Sequence, residues 1–168
     1  MKKIAIIGPE STGKSTLSKS LAAHFNEPFV PEYGRKYLEE NGPDYNQSDL
    51  LAISKGMVIL EDKMSSIAKK LLFCDTDLIM MKVWYEVKYE ECHSWVLNQL
   101  RSHPYDFYLL CTPDLPWEAD PLRENPNMRK DLFERYHKEL VDSDLDYAVI
   151  SGTKNRLKKA IEAIEKIK

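Results

Sequence analysis

Cysteine is scarce in this chain: three residues in 168, an odd count with no C-x-x-C pair. That excludes a disulfide framework and leaves reduced thiols. Cys74 and Cys111 sit in apolar runs that read as buried strands. Cys92 and His93 adjoin, but no second pair at ligand spacing turns them into a metal site. Long apolar runs are absent too. Nothing approaches the roughly eighteen residues of a membrane span, and the first apolar run is too short for a signal peptide. A cytoplasmic protein with no membrane partner is expected. Basic stripes are missing: the formal charge is −3 with no Lys/Arg block, which argues against nucleic acid as a main partner. No repeat, low-complexity tract or linker interrupts residues 1–168, so one domain is expected. A chain of this length can bury roughly 70% of its unfolded surface and needs no staples.

What is there begins at once. Ile4-Ala5-Ile6-Ile7 runs into Gly8-Pro9-Glu10-Ser11-Thr12-Gly13-Lys14-Ser15, followed by Thr16-Leu17 at the start of a helical pattern. This is G-x-x-x-x-G-K-[ST] set between a strand and a helix, as the phosphate-binding loop requires. The glycines let successive N–H groups turn inward onto phosphate oxygens. The helix start adds free amides and the positive end of its dipole. Lys14 reaches the outer phosphates and the Ser15 hydroxyl can ligate Mg²⁺. A nucleoside triphosphate ligand follows.

Further on, apolar strands alternate with amphipathic helices. The strands are Phe29-Val30, Leu71 to Asp75, Phe107 to Cys111 and Tyr147 to Ile150. The first helix reads from about Gly13 to Phe25. A longer one is capped by Asn46 with Asp49 three residues on. It carries Leu50, Ile53, Met57, Leu60, Met64 and Ile67 to about Ala68. Helices also start near Asp77, around Trp95-Val96-Leu100, and at the end of the chain with Leu157, Ala160, Ile161, Ile164 and Ile167 on one side. The alternation predicts an α/β protein with a parallel sheet covered on both faces. Thr112 to Asn127, with Pro113, Pro116, Pro121 and Pro126, reads as an irregular loop of the length that lids have.

In an open parallel sheet, ligands bind beyond the carboxyl ends of the strands. Glu32, Asp75, Asp114 and Gly152 each follow a strand, as the phosphate loop does. Asp75 has the form of a Walker-B acid, able to hold Mg²⁺ directly or through water. Asp77 stands where either an N-cap or a substrate contact belongs. Glu32 is the first candidate for the base that orients an acceptor hydroxyl, with Asp75 the second. Arg123 and Arg129, at the end of the Pro-rich loop, could close over a transferring phosphate. Arg35 could hold substrate or a phosphate. Tyr33, Trp84, Tyr85 and Trp117 offer flat faces for a base or a cationic ring. For Trp84 core packing is an equal alternative, whereas Trp117 in the loop points to substrate.

The phosphate loop, Pro31-Glu32-Tyr33-Gly34-Arg35, Phe73-Cys74-Asp75-Thr76-Asp77 and Pro116-Trp117-Glu118-Ala119-Asp120-Pro121-Leu122-Arg123, in this order, resemble the ribosylnicotinamide kinase domain of the NadR type, a P-loop ATPase/kinase group. The resemblance covers nearly the whole chain. It implies a three-layer nucleoside/nucleotide-kinase-like fold with strand order 2-3-1-4-5 and a lid at about 112–129. It implies ATP and Mg²⁺ as cofactors and phosphorylation of the 5′-hydroxyl of nicotinamide riboside to the mononucleotide. Gly8, Glu10, Ser11, Thr12, Gly13, Lys14, Ser15 and Thr16 then hold the nucleotide. Ser15 and Asp75 hold the metal. Glu32, Tyr33, Arg35, Asp77 and Trp117 meet the riboside, and Trp84, outside these motifs, joins them as a substrate candidate for its aromatic face. The loop Gly152-Thr153-Lys154-Asn155-Arg156 lies near adenine. The bifunctional relatives resemble a fusion with a nucleotide adenylyltransferase, whose H-x-G-H motif these residues lack. A kinase for another nucleoside or nucleoside monophosphate, and an ATP-hydrolysing switch, are the competing expectations.

Overall fold

The computed structural model describes residues 1–167. Five parallel strands form one sheet: β1 (Lys2–Ile7), β2 (Phe29–Val30), β3 (Leu71–Asp75), β4 (Phe107–Cys111) and β5 (Tyr147–Ile150). Their order is β2-β3-β1-β4-β5, as the resemblance implies. The helices are α1 (Lys14–Phe25), α2 (Tyr33–Asn41), α3 (Gln47–Ser65), α4 (Leu78–Tyr89), α5 (Ser94–Ser102), α6 (Arg129–Asp142) and α7 (Arg156–Glu165). The central strand runs in register with both neighbours, Ile6 opposite Asp75 on one side and Leu109 on the other.

Side chains alternate across a strand, and here the alternation divides one apolar run between two cores. Ile4 and Ile6 face α1 and α7 with Phe73, Leu109, Leu21 and Ile164. Ala5 and Ile7 face α4 and α6 with Leu72, Leu110, Val83 and Leu132. All four β1 residues are fully buried, which is why the strand reads as a continuous hydrophobic run. A third cluster joins α2, α3, α4 and α5 through Leu38, Leu50, Ile53, Met81, Tyr85 and Val96. Of that layer, Leu38, Met81 and Trp84 line the cleft that also holds the phosphate loop.

The capping box at Asn46 is made in full. Asn46 Oδ1 accepts from the Ser48 and Asp49 amides, and Asp49 Oδ2 accepts from the Asn46 amide at 2.9 Å. The helix it starts stops at Ser65. Ile67 therefore lies past its end and is 62% exposed, not part of the buried stripe. Two helices have no counterpart in the periodicity of the sequence. α2 begins directly after Glu32, and α6 fills the stretch behind the lid. Both are rich in charge, and each buries only a narrow line: Gly34 and Leu38 in α2, and Leu132, Tyr136 and Leu140 in α6. Cys74 and Cys111 are fully buried free thiols.

Candidate functional site

The loop after β1 is shaped by three positive-φ residues, Gly8 (144°), Ser11 (58°) and Gly13 (75°). Gly8 is also fixed by space: a Cβ there would meet the Cys111 carbonyl oxygen at 2.5 Å. Gly13 ends the loop as the N-cap of α1 with no side-chain cap, so the helix presents its first amides to whatever fills the loop. Thr12 Oγ1 and Lys14 Nζ both donate to the Pro9 carbonyl, each at 2.8 Å. The lysine thus lies folded along the loop it serves. An inward cradle of amides beside an ammonium group is an anion site suited to phosphate.

The cradle opens into a cleft of about 760 Å³. Glu10, Ser11, Thr12, Gly13, Lys14, Ser15 and Thr16 line one end; Glu32, Arg35, Asp75, Trp84 and Arg123 also line the cleft, and Arg156 and Leu157 border it as well. Asp75 is 3% exposed, and its Oδ1 finds no hydrogen-bond partner among the described residues. Burial pushes its carboxyl up, while Lys14, the Ser15 hydroxyl, Lys19 and Arg35 pull it down. Burial likewise raises Glu32, against Lys14, Arg35 and Arg123 and helped by Asp75. Glu32, Asp75 and Lys14 all line the cleft beyond the carboxyl ends of β2, β3 and β1, on one rim of the sheet. Among the described residues no group of three His, Cys, Asp or Glu could cage a metal. The orphaned Asp75 oxygen beside the Ser15 hydroxyl is a hard oxygen pair, which fits a Mg²⁺ that takes its other ligands from phosphates and water.

The Pro-rich segment lies down on the loop. The Glu10 carboxylate accepts the Glu124 amide at 3.0 Å and the Asn125 amide at 2.9 Å. Ser11 Oγ donates to the Pro116 carbonyl and accepts the Glu118 amide at 2.9 Å. Arg35 Nη1 lies 3.1 Å from Asp120 Oδ2 and 3.7 Å from Glu39 Oε1. Burial works against the Arg35 charge, but Glu32, Asp120 and Glu39 hold its pKa above the ordinary value. Trp84 Nε1 donates to Tyr45 Oη at 2.6 Å, and Tyr45 Oη donates to Glu124 Oε2 at 2.6 Å. This chain ties α4 to the lid.

Several residues expected at the site stand elsewhere. The Tyr33 ring lies on α3, so close to Gly56 that a Cβ there would sit 2.2 Å from it; it is outside the cleft lining. Tyr85 is buried in the helical core and donates to the Gln47 carbonyl. Trp117 is half-buried, outside the lining, with the Arg129 guanidinium 5.8 Å from its ring centre. Arg129 spends its donors on the Ser11 carbonyl (3.2 Å) and the Leu115 carbonyl (2.8 Å), as a strut at the start of α6. Arg123 lines the cleft and donates to the Glu118 carbonyl. Asp77 is fully buried as the N-cap of α4, its Oδ1 accepting the Met80 amide at 2.9 Å; burial pushes it up to about 7. Gly152 (φ 84°) donates its amide to Asp114 Oδ2 at 2.6 Å. Arg156 binds the Gly152 carbonyl at 2.8 Å and the Thr12 carbonyl at 3.3 Å. Asp120, Tyr45 and the lid-clamping use of Glu10 leave no local signal in the sequence, because each acts on a partner far away in the chain.

A parallel sheet whose first strand turns through this cradle into an uncapped helix defines a P-loop nucleotide-binding protein. The family described as an AAA domain (AAA_28) matches residues 3–156, and the chain belongs to that family. It is also related to the trifunctional NAD biosynthesis/regulator protein NadR. Identity is 34% over 130 residues, 73% of this chain, for both the Salmonella typhimurium and the Escherichia coli proteins. The chain spans about a third of the length of those relatives, 31%. Among solved structures, NadR in complex with NR superposes with a TM-score of 0.80 at 24% identity, covering 98% of this chain and 49% of that one. A deoxyadenosine kinase from M. mycoides gives 0.66 at 16% identity, covering 99% and 100%. At these identities the likeness is one of fold, and the fold is that of P-loop kinases. Among the described residues no helix is long and apolar enough to cross a membrane.

Proposed function

We propose that this chain is an ATP-dependent phosphotransferase that phosphorylates the 5′-hydroxyl of nicotinamide riboside. The observation that carries the reading is that Lys14, Glu32 and Asp75 line one cleft, where the Lys14 charge favours the ionised form of both carboxyls and Asp75 opposes that of Glu32. Lys14 and the loop amides hold the β- and γ-phosphates of ATP. Ser15 and Asp75 hold Mg²⁺, which supplies charge neutralisation on those phosphates. Glu32 accepts a hydrogen bond from the acceptor alcohol and takes its proton as the oxygen attacks phosphorus. Arg123 faces the same space. Trp84 gives the acceptor wall an aromatic surface on which a cationic ring can stack. Relatedness to NadR, a protein named for NAD biosynthesis, agrees with that acceptor. Phosphoryl transfer of this kind needs positioning and charge more than covalent help.

Two features weigh against the alternatives. Arg35, the basic residue best placed for an acceptor phosphate, is already engaged by Asp120 and Glu39, which disfavours a monophosphate acceptor. A concave cleft that continues from the phosphate loop to Glu32 and Trp84 suits a small molecule better than a docking face for a regulated partner. The test is direct: incubate protein, Mg-ATP and nicotinamide riboside, and separate the nucleotides formed. Stoichiometric ADP and nicotinamide mononucleotide are expected. Equal turnover of ATP with and without any acceptor would overturn the kinase reading; phosphorylation of another nucleoside alone would overturn the choice of riboside.

A further inference from the structure

Thr76 combines three observations that no role above uses. The residue is 8% exposed, and its hydroxyl finds no hydrogen-bond partner among the described residues. Its φ is 86°, a left-handed backbone that a β-branched residue avoids. It lines the cleft together with Asp75 before it and with Met80, Met81 and Trp84 of α4 after it.

Both features cost stability, since a buried hydroxyl without a partner and a strained φ each oppose folding. The surroundings hold the residue in place from two sides. Its amide donates to the Ile6 carbonyl at 3.1 Å, extending the β1–β3 ladder by one residue. The next residue, Asp77, is fixed as the cap of α4. Valine would fill the same volume with the same branching and leave no lone oxygen. Among the described residues, then, none gains a hydrogen bond from the hydroxyl. Its position says what would. β3 stands between β1, which leads to the phosphate loop, and β2, which leads to Glu32. The tip of β3 thus lies between the group that holds the donor phosphates and the candidate base.

We propose that Thr76 Oγ1 is an acceptor-binding group, hydrogen-bonded to a sugar hydroxyl of the riboside in the closed cleft. This rests on reading the cleft as the acceptor site of a kinase. A threonine hydroxyl both donates and accepts, so it can accept from one sugar alcohol or donate to another while Glu32 takes the reacting one. The left-handed backbone at the β3 tip is in place before substrate arrives, so little main-chain ordering remains to be done on binding.

Two variants test it, Thr76→Val and Thr76→Ser, each with two readouts. The first needs no acceptor: the unliganded Thr76→Val protein should melt at or above the wild-type temperature. A fall of more than about 4 °C means the hydroxyl is satisfied in the free protein and overturns the inference. The second uses whichever riboside or nucleoside the wild-type protein phosphorylates. Thr76→Val should lose about 5- to 100-fold in kcat/KM for that acceptor, with KM for ATP unchanged, and Thr76→Ser should stay within about threefold of wild type. Wild-type acceptor kinetics in Thr76→Val, or equal impairment in Thr76→Ser, overturns it. If the wild-type protein phosphorylates no riboside or nucleoside, the kinase reading fails, and with it the acceptor role of Thr76, whatever the melting result.

Discussion

Arg35 of α2 and Asp120 of the lid meet at 3.1 Å, Nη1 to Oδ2, at the margin of the cleft. The pair does two things. It tethers the lid to the helix that follows Glu32, and it neutralises the guanidinium that an acceptor phosphate would seek. Replacing Asp120 by Ala should free Arg35 for anions. Inhibition by the product mononucleotide should then tighten on the order of threefold, the scale of a half-exposed ion pair. In the double variant Arg35→Ala, Asp120→Ala the gain should vanish. Inhibition constants for the three proteins check this; an unchanged constant in Asp120→Ala would mean that Arg35 does not face the product's phosphate.

Lys14 should be a costly single loss. It is the first residue of α1, its ammonium folded onto the loop before it, and it lowers the pKa of both Glu32 and Asp75. Changing it to Ala should lower kcat by at least ~10², by analogy with removal of one transition-state donor. The melting temperature should change little, because the ammonium's one hydrogen bond among the described residues is to the Pro9 carbonyl and the buried Glu32 and Asp75 carboxyls can take up protons in its absence. Single-turnover rates beside a melting curve separate the two effects.

The sheet was legible because its central strands carry continuous apolar runs. Ile4 to Ile7 and Leu71 to Cys74 are buried on both faces, and neither a surface helix nor a half-exposed strand produces such a run. The phosphate loop was legible because its geometry is local: glycines, lysine and serine within eight residues. α2 and α6 were not, because their buried lines are too thin to stand out among charges. Which aromatic ring faces the cleft was not legible either. Tyr33 and Trp84 both stand near the strand tips in sequence, yet Tyr33 turns onto Gly56 while Trp84 lines the pocket. Only tertiary packing makes that choice. The lid contacts of Glu10 reach residues 114 and 115 positions away, beyond any local pattern.

Those contacts give the third prediction. The Glu10 carboxylate accepts two lid amides at once, and a charged acceptor strengthens such bonds roughly twofold over a neutral one. In Glu10→Gln one oxygen becomes an amino group that cannot accept. Hydrogen exchange at the Glu124 and Asn125 amides should accelerate, and limited proteolysis within 112–128 should become faster. KM for ATP should rise with the looser lid. Unchanged exchange at both amides would show that the rest of the lid holds itself down.

Glu32 and Asp75 can be told apart by what each loses. If Glu32 is the base, Glu32→Gln should lower kcat by about 10²–10⁴ and leave the Mg²⁺ dependence as it is. If Asp75 positions the metal, Asp75→Asn should raise the Mg²⁺ concentration needed for half-maximal rate. Mg²⁺ titrations of both variants decide the assignment. A reversed pattern, with Glu32→Gln shifting the metal dependence, would exchange the two roles.

Asp77 makes stability depend on pH, and the direction follows from its burial. Burial raises its carboxyl from the ordinary 3.8 to about 7, opposed by the Met80 and Ile79 amides and assisted by Glu61 and Glu139. Between those values the folded protein holds a proton that the unfolded chain has released. Stability from this group is therefore full below about pH 4 and declines as pH rises toward 7, at up to about 1.4 kcal/mol per unit. Asparagine caps a helix as well as aspartate does and carries no proton to lose. The melting temperature of Asp77→Asn should thus gain on wild type as pH rises from 5 to 8. Equal slopes for the two proteins would mean that Asp77 is charged throughout that range, with a compensating partner inside the fold.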